Sequence, residues 1–198
     1  MSDNLRQYRA IRDAWTQGYP GEPTGRLARH LATLAAFISG MVASKSTQLP
    51  QVASHVPDGT TPESRVKRLA RWVDNDTITE DVSFFPYGQV WLAQLALQTL
   101  VLVIDGRVIG RGGVALMVHV LYTGRALPLA WLVRQGKKGH CPEALPIPLI
   151  EQVHRQIPAG AQVVWLGDGA FDGTTLQQTM QDYHWSSVVR TGSNSTVR

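Results

Sequence analysis

Two short, wholly apolar segments, each running into an aspartate and a glycine, constrain this 198-residue chain more than any other feature. The first is Leu100-Val101-Leu102-Val103-Ile104, ending at Asp105-Gly106. The second is Val163-Val164-Trp165-Leu166, ending at Gly167-Asp168-Gly169. An apolar run without alternation predicts a strand buried on both faces of its sheet. Between them, Val114 to Tyr122 and Ala126 to Val133 are apolar runs joined by Thr123-Gly124-Arg125, which predicts a hairpin.

The remaining elements follow from periodicity and punctuation. After a loop from Gln135 to Pro148, Leu149, Ile150, Val153 and Ile157 predict a helix that stops at Pro158-Ala159-Gly160. Asp172 or Thr174 is the expected cap of a second helix through Leu176 and Met180 to Tyr183, and Ser186 to Val189 reads as a fifth strand. A right-handed crossover after the third strand sets the fourth beside the first and parallel to it. That is the strand order of the ribonuclease-H-like fold. The expected class is therefore α/β, an incomplete ribonuclease-H-like mixed sheet over residues 99–198, preceded by a helical region over residues 1–98.

In that region Leu27, Leu31, Leu34, Ile38 and Met41 recur at spacings of three and four and predict a long helix. A short helix is expected after Pro50, then a turn at Pro57-Asp58-Gly59-Thr60. A third helix opens with Thr61 as N-cap, Pro62 in the first position and Glu63 in the first turn. It places Val66, Leu69, Ala70 and Val73 on one stripe, and Arg65, Lys67, Arg68 and Arg71 on the opposite arc. Helix, short turn and basic helix resemble a helix-turn-helix. An ordinary core helix with a solvated charged face has the same pattern.

Composition narrows the class. Hydrophobic residues make up 43% and charged residues 17%, a globular balance. The single cysteine, Cys141, excludes a disulfide framework and fits a reducing cytoplasm. Residues 1–12 are polar with no apolar run behind them, so no signal peptide is read there. The most membrane-like stretch, Leu31 to Ser44, falls short of the ~20 residues a span needs, so a core helix and no membrane partner are expected. The net charge of +4 is too small to argue for nucleic acid by itself.

If the two apolar strands are adjacent and parallel, Asp105 and Asp168 emerge at one end of the sheet, where open α/β sheets place their sites. Two hard carboxylates suit Mg²⁺ or Mn²⁺, and an ion pair of that kind supports phosphodiester transfer. Aspartate-glycine pairs also end strands for purely structural reasons.

Leu102-Val103-Ile104-Asp105-Gly106 and Leu166-Gly167-Asp168-Gly169-Ala170-Phe171-Asp172-Gly173 resemble the first two aspartate motifs of DDE transposases of the bacterial insertion-sequence-four type. The upstream segment from Ser46-Thr47-Gln48-Leu49-Pro50 through Pro62 to Lys67-Arg68 is similar to that family's N-terminal region, and Gly136-Lys137-Lys138-Gly139-His140 to its segment between the motifs. The resemblance implies divalent metal at Asp105 and Asp168. It also implies double-stranded DNA as partner (transposon ends and target), and DNA contact by Arg65, Lys67, Arg68 and Arg71. A homodimer and a nucleoid-associated place in a bacterial cytoplasm are compatible with it. Two departures stand out: Arg107 replaces the usual small hydroxyl residue after Asp-Gly, and no glutamate follows Glu151 to serve as third acid. The chain thus reads as a truncated transposase, inactive alone. The alternatives are a non-catalytic DNA-binding fragment that inhibits transposition, and a haloacid-dehalogenase-type phosphatase. The phosphatase lacks its general acid, because Arg107 occupies that position, and lacks a lysine beyond Lys138.

Overall fold

The computed structural model describes residues 3–110, 112–136 and 144–190. The chain forms two compact units, Met1–Val90 and Trp91–Arg198.

The first unit is helical. It holds α1 (Asp3–Gln17), α2 (Gly25–Ser44), α3 (Leu49–Ser54), α4 (Pro62–Val73), α5 (Glu80–Ser83) and the start of α6 (Phe85–Leu95). The expected long, short and basic helices are α2, α3 and α4; α1 is an additional element. Its polar sequence has no buried residue, yet Tyr8 packs against the core and Trp15 lies 4.4 Å from the Tyr87 ring. Tyr87 Oη donates to the Trp15 carbonyl at 2.8 Å, which ties the end of α1. At 20 residues α2 is long and apolar enough, by length and composition, to cross a membrane. Here Leu31, Ala35, Ala36, Ser39 and Gly40 are buried, and the helix packs on α1, α3 and α4.

The core of this unit is Ala36, Val52, Ala53, Val56 and Leu69. Gly40 sets the spacing between α2 and α3. A Cβ there would lie 2.6 Å from the Val52 carbonyl oxygen and 2.7 Å from Val52 Cγ1. Thr61 caps α4 as expected, its hydroxyl accepting from Ser64 N–H, a contribution of about 1 kcal/mol. The apolar stripe is shorter than the spacing predicted, because Val73 at the last turn is 55% exposed.

Asp58 organises the turn between α3 and α4. It accepts from the backbone and hydroxyl of Thr60, from Arg65 Nε at 2.8 Å and from Arg68 Nη2 at 2.6 Å. Arg65 also donates to the carbonyls of Ala53, Asp58 and Thr60, so one guanidinium ties the end of α3 to two carbonyls of the turn. Burial alone would raise the Asp58 pKa. The hydrogen bonds from Thr60 and Arg68 outweigh it and hold the carboxyl at about 2.

The second unit is a five-stranded mixed sheet with β1 (Leu100–Ile109), β2 (Gly113–Tyr122), β3 (Arg125–Gln135), β4 (Val163–Gly167) and β5 (Ser186–Val189). The order is β3-β2-β1-β4-β5; β1 to β3 form an antiparallel meander, and β4 and β5 are parallel to β1. The hairpin turn is Thr123-Gly124, both at positive φ, which suits the strand twist. The β2–β3 register shifts at Val118/His119, skipping Leu129. Buried Gln156 donates to the Leu129 carbonyl, so the bulge keeps a partner.

The crossover helices α7 (Ile147–His154) and α8 (Thr174–Asp182) lie in the β3–β4 and β4–β5 connections. Both crossovers run the same way across the sheet, which puts both helices on one face. That face buries Leu102, Ile104, Leu116, Val118 and Trp165 with Leu149, Ile150, Val153, Leu176 and Met180. The cap of α8 is Gly173, in place of the expected Asp172 or Thr174. His154, in the last turn of α7, stacks on Tyr183 with ring centroids 3.7 Å apart.

Two outcomes are expected. Gly40→Ala overpacks the α2–α3 contact and lowers stability by about 1–3 kcal/mol, measured by denaturant unfolding. Asp58 titrates at about 2 when folded against 3.8 in its ordinary state. Its depressed value therefore gives stability that is full above the ordinary pKa and lost as pH falls through the folded one. Asp58→Asn should melt at a lower temperature than the native chain at neutral pH, and the gap should close as pH approaches 2.

Candidate active site

Four rungs of parallel pairing join β1 to β4: Leu100 with Val163, Val101 with Val164, Leu102 with Trp165, and Val103 with Leu166. Side chains alternate along a strand, so Leu102 and Trp165 point to the helix-covered face while Val103 and Leu166 point to the other. Beyond the last rung Gly167 stays close to Ile104. A Cβ on Gly167 would lie 3.5 Å from Ile104 Cγ2. Asp105 and Asp168 each come two residues after the last paired rung, Val103 with Leu166, at the same end of the two strands. Both aspartates are exposed.

Their backbones are held differently. The sequence placed Asp105 at the end of its strand, but β1 continues to Ile109, with Asp105 opposite Met117 of β2 and Arg107 opposite Ala115. Only the pairing with β4 ends near Asp105. Gly106 keeps the continuing strand close to β2: a Cβ there would sit 3.3 Å from Leu116 Cδ2. Asp168 leaves β4 in extended conformation and caps a 3-10 turn, Gly169–Phe171, with one carboxylate oxygen accepting from Ala170 N–H at 3.0 Å. Its other oxygen, and both oxygens of Asp105, have no hydrogen-bond or ion-pair partner among the described residues. Arg190 follows β5 at the level of Asp168, its N–H donating to the Gly167 carbonyl.

The donor chemistry fits a hard divalent cation: exposed anionic oxygens that follow the last rung of two neighbouring parallel strands, with solvent open to the remaining positions. Among the described residues no group of three His, Cys, Asp or Glu side chains comes together. His119 lies on the aspartates' face of β2, beside Val103, and is partly buried.

The basic residues of α4 divide into two pairs. Arg65 and Arg68 are partly buried and bound to Asp58, whereas Lys67 and Arg71 are exposed. Sequence periodicity did not separate them, because the acid that engages Arg65 and Arg68 lies outside the helix, in the preceding turn. The lysine-rich segment 137–140, together with Cys141, lies outside the described residues.

No protein-family model matches the chain, and no curated protein matches it. Among solved structures the chain is similar to the piggyBac transposase in a synaptic complex with hairpin DNA. The identity is 14% and the TM-score 0.43, over 98% of this chain and 52% of that one. The chain thus spans about half the length of that transposase.

Proposed function

We propose that the chain is a transposase-like, DNA-processing protein whose sheet is a ribonuclease-H-like core of the insertion-sequence-four DDE type. The observation that carries this is the parallel pairing of β1 with β4, whose last rung, Val103 with Leu166, is followed two residues on by an exposed aspartate in each chain segment, Asp105 and Asp168. Mg²⁺ or Mn²⁺ held by these two residues would supply activation of a nucleophilic oxygen and neutralisation of a leaving one in phosphodiester chemistry. Asp105 and Asp168 bind and orient; the Ala170 N–H fixes one oxygen of Asp168 and leaves the other for a ligand.

Two carboxylates grip a cation less firmly than three. With no group of three ligands among the described residues, we read the chain alone as binding metal and DNA without turning over. The same observation favours the second reading, a non-catalytic DNA-binding fragment that competes with an intact transposase.

DNA contact is assigned to Lys67 and Arg71 at the exposed side of α4. Arg65 and Arg68 shape the turn that presents this helix.

Asp168→Asn should weaken Mn²⁺ binding, followed by electron paramagnetic resonance, with the far-ultraviolet spectrum unchanged. Equal Mn²⁺ affinity in both proteins would refute the site. The double variant Lys67→Ala, Arg71→Ala should bind duplex DNA less tightly. Its log–log salt slope should be shallower by about 2, the value for two lost phosphate contacts. An unchanged slope would remove α4 from the interface.

A further inference from the structure

We propose that Arg107 is a phosphate-positioning residue of the aspartate site, gripping the non-bridging oxygens of a DNA phosphodiester beside Asp105 and Asp168; this rests on the reading above. Arg107 follows Asp105 by two residues within β1, so both project from the same face, about 7 Å apart along the strand. It is exposed, and its side chain has no hydrogen-bond or ion-pair partner among the described residues. Its neighbours across the antiparallel ladder are Ala115 and then Val133, which offer a methyl and an isopropyl group and no acceptor. On the other side the pairing with β4 has ended, and the chain after Asp168 turns away through Gly169–Phe171. The guanidinium therefore stands over a step of the sheet with nothing of its own ladder to bond.

The charge balance makes the same point. Two exposed carboxylates repel a phosphodiester, and a bound cation that neutralises them still leaves the phosphate free to rotate. A guanidinium is always charged and offers a planar fork of donors matched to two oxygens of one phosphate. Set beside the metal-holding pair, it fixes that phosphate's orientation. Its position on a strand laddered to β2 keeps the fork in register with Asp105.

The test uses the full chain, Mn²⁺ alone, and a short blunt DNA duplex with Ca²⁺ or with EDTA. The native chain is expected to bind the duplex more tightly in Ca²⁺ than in EDTA. Arg107→Ala should reduce that gain about tenfold, equivalent to ~1.4 kcal/mol. Its Mn²⁺ affinity without DNA should be unchanged or tighter, since a nearby positive charge is gone. Arg107→Lys should recover part of the gain. Arg125→Ala, which removes an exposed charge at the opposite rim of the sheet, should leave it intact. The inference is overturned if Arg107→Ala keeps the full gain, if Arg125→Ala loses as much, or if Arg107→Ala loses Mn²⁺ affinity as well, the mark of a structural role. If the native chain binds no Mn²⁺ and shows no Ca²⁺ gain, the metal site itself fails and Arg107 with it. A native gain that survives Arg107→Ala sinks the inference alone.

Discussion

The parallel pairing of β1 with β4 is the constraint on which the site depends. Asp105 and Asp168 are 63 residues apart, and neither position has any local reason to find the other. What brings their strands together is the burial of Leu100, Leu102, Val163 and Trp165 on one face. A slip of one residue would turn those side chains out of the core and carry one aspartate to the wrong face with them. Register is thus enforced by apolar burial, at roughly 1.5–3 kcal/mol for each large side chain. The two aspartates, which lie beyond the last of these rungs, take no part in fixing it.

The same division of labour holds in the helical unit. Ala36, Val52, Ala53 and Leu69 pack α2, α3 and α4 closely, and Gly40 lets the backbones approach. Around that core, Asp58 gathers Arg65, Arg68 and Thr60 into a preformed turn. Half of the basic residues on α4 therefore serve the fold and half face solvent. A count of arginines in the sequence cannot make that distinction.

Much of the sheet was legible beforehand because its signals are local. The unbroken apolar runs, the Thr123-Gly124 turn and the crossover helices each announce themselves within a few residues, and the strand order follows from handedness. The errors arose where tertiary contact decides. The first helix was not singled out because its sequence is polar and its hold comes from Tyr8, Trp15 and distant Tyr87. The strand through Asp105 was cut short because Asp-Gly reads as a turn, whereas pairing with Met117 and Leu116 carries it on to Ile109. The stacking of His154 on Tyr183, at the end of the next helix, is likewise a contact between distant residues that no local pattern announces.

The unequal anchoring of the two aspartates has a mechanical consequence. One jaw is riveted into a ladder that continues four residues past it, while the other hangs on a three-residue turn by a single amide bond. In the metal-holding role proposed for them, a vice built this way would close from one side only. Under that proposal, cations of different radius would be met by adjustment of the Asp168 turn, with the sheet itself left undisturbed.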